Sequence, residues 1–323
     1  MRIVYYPDSR LEQGRYVATI GFFDGVHKGH RFVIDNLKSV ATVKECESML
    51  ITFERHPRLV VHSDWQPQLL TTLEERIQLL AQTGVDMLVV LRFDEAMAAL
   101  SARDFMSKVL HDDLCVTTLL TGYDNRFGHD RSAGFDDYVA FGKQVGIEVM
   151  QSVALDVDQY RVSSSVIRRL LTDGDVSEAA HCLGRYYSLT GMVVHGEQVG
   201  RRIGFPTANV LPDNDERLVP ASGVYAVLVD LFNNSDNSNP NCPSISTPLF
   251  GMMNIGTRPT FGVHHPTLEV NLLDFAGDVY GQRLRIRFVE RLRSEQRFEN
   301  PDALVAQIEK DCQQVRALLS ALQ

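Results

Sequence analysis

Near Arg185 the chain changes the period of its hydrophobic pattern, and that change decides the architecture. Before it, apolar and β-branched runs at 16–22, 49–53, 87–93, 116–121 and 147–154 alternate with segments of helical spacing. The clearest of these, 72–82, opens with Thr72 and Glu75 three apart as a capping box and carries Leu73, Ile77 and Leu80 on one face. Strand, helix, strand repeated in this way predicts a parallel sheet with helices on both faces, whose ligands bind at the carboxyl ends of the strands. After Arg185 the runs at 188–195, 223–231, 249–255, 267–275 and 284–292 are separated by Gly, Pro and Asn clusters, which predicts a small antiparallel barrel. Asn300 as N-cap, Pro301 in the first helical position and the stripe Leu304, Ile308, Cys312, Val315, Leu319, Leu322 add a terminal helix packed on that barrel. The expected fold is α/β plus β, in two domains at 1–184 and 185–323. The Asn-, Ser- and Pro-rich stretch 233–248 reads as an exposed, mobile excursion.

Two domains also suit a length of 323 residues, more than one core usually organises. The net charge is −9, with 19 Lys+Arg against 26 Asp+Glu before Arg185 and 13 against 15 from it onward. Neither half carries the basic stripe that binding nucleic acid demands, although local pockets for phosphorylated small molecules remain open. The five cysteines lie at least 60 residues apart, so they form no CxxC pair, and a reducing compartment is expected. The apolar stretch 3–6 is too short for a secretory signal, and no run of 18 apolar residues would span a membrane, so the expected location is the cytoplasm.

Directly after the first strand stands GFFDGVHKGH, in which Gly21, Gly25 and Gly29 are interleaved with Asp24, His27 and His30 before a helical pattern begins. Glycines let backbone approach an anion, a helix start offers free N–H groups, and two histidines add donors, so the segment reads as a phosphate cradle. It is neither a Walker loop nor a GxGxxG fingerprint. A plain turn with exposed histidines is the blander alternative. A zinc site from His27, His30 and Asp24 lacks a further well-placed ligand.

The motif GxFDGxHxGH resembles the nucleotidyltransferase domain of the bacterial bifunctional riboflavin kinase/FAD synthetases, matched here by Gly21, Phe23, Asp24, Gly25, His27, Gly29 and His30. TGYDNRFG at 121–128 and RVSSSVIRRLL at 161–171 agree with it. The resemblance implies a Rossmann-like domain that transfers AMP from ATP to FMN and releases pyrophosphate. His27 and His30 would hold the ATP phosphates; Ser164, Ser165 and Arg168 would stabilise the leaving pyrophosphate. Gly21, Phe22 and Gly29 would belong to the nucleotide loop, with Asp24 and Asp124 orienting loops or nucleotide. Asn125 stands where the family commonly has Phe, and Ser165 where it has Thr.

In the second half, GRRIGFPTANV at 200–210 places Thr207 and Asn209 two apart, so that hydroxyl and amide oxygens face one way and suit a hard cation and its phosphates; an ordinary turn would look much the same. In strand 267–275, Leu268, Val270 and Leu272 share one face and Glu269 and Asn271 the other, which makes Glu269 either a base for a hydroxyl nucleophile or a solvent-facing residue. The segment resembles the riboflavin kinase motif GRxIGFPTAN, with further likeness at 223–227, 251–261 and 268–275. That resemblance implies Glu269 as the base for the ribityl 5′-hydroxyl, Thr207 and Asn209 on Mg²⁺ and ATP, and Gly200 and Arg201 in the nucleotide loop. Asn271 replaces a common His and Ser294 a common Asp. The implied enzyme phosphorylates riboflavin to FMN and adenylylates FMN to FAD. It uses ATP at both sites and has only small-molecule partners.

Overall fold

The computed structural model describes the chain except for residues 12, 62–65, 67, 123–126, 130–132, 153–155, 158–159, 197–199, 201–202, 233–246, 258–265 and 322–323. It divides into two compact units, Met1–Ser164 and Ser165–Gln323.

In the first unit the elements run β1 (Arg2–Tyr6), β2 (Tyr16–Ile20), α1 (Lys28–Val43), β3 (Glu47–Phe53), α2 (Arg58–Val61), α3 (Leu73–Ala81), β4 (Met87–Leu91), α4 (Glu95–Ala98), α5 (Ala102–Asp104), a π-helix (Phe105–Asp113), β5 (Val116–Thr121), α6 (Phe135–Val145), β6 (Glu148–Gln151) and a short hairpin of β7 (Asp156–Val157) and β8 (Tyr160–Arg161). β1 to β6 form one sheet in the order β1-β4-β3-β2-β5-β6, parallel throughout. β2 and β4 are buried along their whole length because apolar clusters cover both faces of the sheet. The expected five strands are present. β1 is a sixth, an edge strand with only Val4 and Tyr6 buried, too short to stand out in sequence. Thr72 caps α3 with the reciprocal Glu75 bond that their spacing predicts.

The second unit comprises α7 (Ser164–Asp173, beginning at the division), α8 (Val176–Leu183), β9 (Tyr187–Val194), β10 (Ala208–Pro212), β11 (Gly223–Phe232), β12 (Leu249–Thr257), β13 (Pro266–Leu272), β14 (Arg283–Arg293) and α9 (Pro301–Ser320). Its six strands close into an antiparallel barrel in the order β10-β13-β12-β11-β14-β9, and β10 pairs back with β9. All ten residues of β11 are buried, since one face lines the barrel and α9 supplies Cys312, Val315 and Leu319 against the other. α7 and α8 pack with the barrel: Ala221 N donates to Leu171 O (3.0 Å), and Ser177 Oγ to Val289 O (3.3 Å). β10 has no counterpart among the expected strands, because the Pro and Gly that surround it mask its alternation of Ala208 and Val210 with Asn209 and Leu211. Most of 233–248 lies outside the described residues.

Candidate active sites

At the carboxyl end of β2 the chain turns into the Gly21–His30 segment. Gly21 N donates to Ile51 O (3.0 Å) and Thr52 Oγ1 to Phe22 O (3.1 Å), which moors the loop to the end of β3. Phe23 (φ 54), Gly25 (φ 79) and Val26 (φ 40) then adopt left-handed backbone within four positions. That conformation is ordinary for glycine and strained for Phe and for a β-branched Val, so the surroundings must impose it. Phe23 and Val26 are buried, and Val26 N donates to Phe23 O (3.0 Å).

Asp24 does most of the imposing. Its carboxylate, 2% exposed, accepts from Leu70 N, Thr71 N and Thr71 Oγ1, each at 3.0 Å. Thr71 Oγ1 in turn accepts from Gly25 N, and Ser164 Oγ donates to Asp24 O, both at 3.0 Å.

His27 ends the loop as the N-cap of α1. Its Nδ1 accepts from His30 N (3.2 Å), so the proton of the neutral ring lies on Nε2. The His30 ring stacks on it with centroids 3.6 Å apart, and its own edge partner is Phe23 at 5.3 Å. A Cβ at Gly29 would stand 3.1 Å from Val162 O and 3.2 Å from the His27 ring, so only glycine lets these pieces approach without a shift. Two imidazoles are thus gathered at the start of a 16-residue helix whose first N–H groups have no partner within it.

Ser164 closes this unit. Ser165 and Arg168 lie on α7, which belongs to the second unit. Asp124 and Asn125 lie outside the described residues. The segment just beyond them is fixed: Tyr138 Oη accepts from Phe127 N (2.9 Å) and donates to Phe127 O (3.2 Å), with the rings stacked at 4.2 Å. Tyr138 is one residue that sequence reasoning passes over. His56, whose ring meets Phe22 edge-on at 4.5 Å, is another, although it follows a strand in the manner of Gly21. Arg76, buried beneath Phe22, is a third.

In the second unit the register of three strands builds the site. Asn209 on β10 stands opposite Glu269 on β13, and Glu269 stands opposite Asn254 on β12. Ala208, Val210, Met253, Ile255, Leu268 and Val270 are buried, so the alternating face carries two amides flanking a carboxylate. Thr207 Oγ1 lies 3.5 Å from Glu269 Oε2. Asn254 belongs to this row and is absent from the sequence-based candidates. Asn271 is 5% exposed and donates to Pro206 O (2.7 Å), so it braces the segment that carries Thr207. Ser294 meets Arg291 at 3.4 Å.

Two glycines make room for these groups. A Cβ on Gly196 would fall on the Asn209 side-chain amide; one on Gly200 would strike Phe205 O and lie 3.2 Å from Thr207 Oγ1. Arg201 lies outside the described residues. Beside Thr207 a cavity of about 350 Å³ is lined by Pro206, Leu272, Phe275, Val279 and Tyr280, whose ring stacks on His195 at 4.0 Å. The donors gathered at Thr207, Asn209 and Glu269 are hydroxyl, amide and carboxylate oxygens, a set that fits Mg²⁺. Among the described residues no group of three or more His, Cys, Asp or Glu converges as a metal site.

A helix-flanked parallel sheet with an imidazole-bearing glycine loop, followed by a barrel with a Thr/Asn/Glu cluster, is the architecture of a two-domain transferase, the class to which the comparisons assign this chain. The FAD synthetase family model matches residues 9–166 and the riboflavin kinase model residues 183–319. The chain is 38% identical over 303 residues to the bifunctional riboflavin kinase/FMN adenylyltransferase of Escherichia coli K12, covering 94% of this chain and 92% of that one. To the Bacillus subtilis enzyme of the same description it is 37% identical over 318 residues, 96% of this chain and 95% of that one. This chain belongs to the bifunctional riboflavin kinase/FMN adenylyltransferase family. It is similar over 98% of its length, and 99% of the other chain, to a crystal structure described as a macrolide-efflux protein from Streptococcus pneumoniae, with 27% identity and a TM-score of 0.84. Among the described residues of this chain no helix is long and apolar enough to cross a membrane.

Proposed function

We propose that this enzyme converts riboflavin to FAD in two ATP-dependent steps at two separate sites, with the residues in the following roles. In the barrel, Glu269 takes the proton of the ribityl 5′-hydroxyl as that oxygen attacks the γ-phosphorus of ATP and ADP leaves. Mg²⁺, held by Thr207 and Asn209, would supply charge neutralisation on the ATP phosphates. The cavity beside Thr207 offers apolar walls to the nucleoside. In the first unit, a phosphate oxygen of FMN attacks the α-phosphorus of ATP, the bond to the bridging oxygen breaks, and pyrophosphate leaves. His27 Nε2–H, His30 and the start of α1 bind and stabilise the phosphate charge, and no covalent enzyme intermediate is needed. Ser165 and Arg168 stabilise pyrophosphate as it departs. Gly21 and Phe22 shape the nucleotide loop, and Ser164 and Asp24 hold it in place. Asp124 orients the nucleotide from the neighbouring loop, and Gly200 and Arg201 form the kinase nucleotide turn.

We assign adenylyl transfer to 1–184 and phosphoryl transfer to 185–323, a division of labour that differs from the packing division because α7 carries Ser165 and Arg168 while packing with the barrel. The working compartment is the cytoplasm.

The observation that carries this reading is the meeting of Thr207, Asn209 and Glu269 from segments about 60 residues apart, alongside an independent stacked His27–His30 pair. Product analysis tests it. Glu269→Ala is expected to abolish FMN formation while leaving FAD formation from supplied FMN, and His30→Ala to do the reverse. Equal loss of both activities in either variant contradicts separate sites.

A further inference from the structure

Arg76 sits on the buried stripe of α3. Leu73, Ile77 and Leu80 define that stripe in the sequence, and position 76 falls on it, three residues after Leu73 and four before Leu80. The side chain is 1% exposed, which is rare for an arginine. Its polar contacts are few. One Nη donates to Phe53 O (2.5 Å) at the carboxyl end of β3, and the guanidinium lies over the Phe22 ring, 4.2 Å from the centroid. Among the described residues Nε has no hydrogen-bond partner.

This is a poor arrangement for stability. Burial lowers the affinity of the guanidinium for its proton, bringing its pKa down to about 10, with Asp24 and Glu74 opposing the shift. The group stays charged at neutral pH, yet an apolar side chain would fill the same stripe without desolvating a charge. What the cation does hold is specific. The Phe22 ring meets both the guanidinium, 4.2 Å from its centroid, and the His56 ring, 4.5 Å away and steeply inclined, and Phe22 is also moored through its carbonyl to Thr52. Both partners of Arg76, the Phe22 ring and the Phe53 carbonyl, lie where β2 and β3 end and the Gly21–His30 loop begins.

We propose that Arg76 is a positioning residue for adenylyl transfer: from within the helical cover it clamps Phe22 and the end of β3, and so fixes the entry of the phosphate-binding loop. The inference rests on the reading of that loop as the adenylyl site. Arginine suits the task better than lysine, because a flat guanidinium can stack on a ring while donating to a carbonyl, whereas an ammonium is a point charge.

The test uses the full-length chain, with FAD formation from FMN and riboflavin phosphorylation measured on the same preparation. Arg76→Met is expected to lower kcat for FAD formation about 30-fold with little change in KM, because binding groups stay while their alignment loosens. Arg76→Lys is expected to restore most of that, to within about fivefold of the starting enzyme, and riboflavin phosphorylation is expected to stay within about twofold in both variants. Arg76→Met combined with Phe22→Leu should lose less than the product of the two single effects, since both act through one contact. Full FAD-forming activity in Arg76→Met, or multiplicative losses in the double variant, would overturn the proposal. If Arg76→Met fails to show a cooperative melting transition for the first unit, Arg76→Lys carries the test, and wild-type kcat in that folded variant overturns it. His30→Ala run in parallel separates the two levels. Retained FAD formation there removes the adenylyl-site reading itself, whereas its loss beside an unaffected Arg76→Met removes only this inference.

Discussion

The two units assemble their candidate sites by opposite means. In the first, the imidazoles, the glycines and the helix start come from one run of ten residues, and tertiary structure only has to hold that run in a strained shape. In the barrel, Thr207, Asn209, Asn254 and Glu269 are spread over some 60 residues and meet only because three strands pair in one register. A contiguous site is vulnerable where its supports are cut. A register-built site is vulnerable where the space between strands is filled.

The sharpest way to break that contrast is Gly196→Ala. The new Cβ would occupy the place of the Asn209 amide, so riboflavin phosphorylation should fall by about 100-fold or more while FAD formation from FMN persists, as two product assays on one sample would show. Loss of both activities would contradict separate sites. Next in size, Asp24→Ala strands Leu70 N, Thr71 N and Thr71 Oγ1 in a buried place, and should destabilise the first unit by about 3 kcal/mol, read as a lower melting temperature for that unit alone. Tyr138→Phe removes both bonds to Phe127 and keeps the ring stack; FAD formation should drop about fivefold and riboflavin phosphorylation not at all. The smallest effect concerns pH. Burial, then the hydrogen bond to Asp113, pushes the Tyr6 phenol from its ordinary value near 10 up to about 12. The neutral phenol is the form favoured by folding, so its contribution is complete below pH 10 and lost as pH rises to about 12. Tyr6→Phe should cost about 1 kcal/mol at pH 7 and flatten the alkaline decline of the first unit, which denaturant titrations at pH 8 and pH 11 would reveal.

The same contrast explains what could be read in the sequence. The Gly21–His30 loop is legible because its chemistry is local. The barrel cluster is legible only as pieces: alternation along β13 separates Glu269 from its apolar neighbours, but the partner of Glu269 is a matter of pairing, and the strand bearing Asn209 is hidden by the glycines and prolines around it. Asp24 is visible as a candidate, while its anchor at Leu70 and Thr71 lies 46 and 47 residues away and leaves no periodic trace. Arg76 leaves one, since a charged residue on an apolar helical stripe is a misfit that spacing alone exposes. β1 is missed because its apolar run, Ile3 to Tyr6, is only four residues long and carries no alternation to separate the buried Val4 and Tyr6 from the exposed Ile3 and Tyr5. The change of pattern at Arg185 is a change of secondary structure, whereas the packing division falls after Ser164, since α7 and α8 keep helical spacing yet rest on the barrel.

The closure of the barrel reaches further than its shape. In an open sheet an outer strand can slip by one residue and disturb a single neighbour. In a ring of six, any slip must be absorbed by the strand on the other side, and so on around to the start. The juxtaposition of Asn209 with Glu269 is therefore guarded by all six seams together, and a remote strand such as β14 helps keep the carboxylate facing the amide.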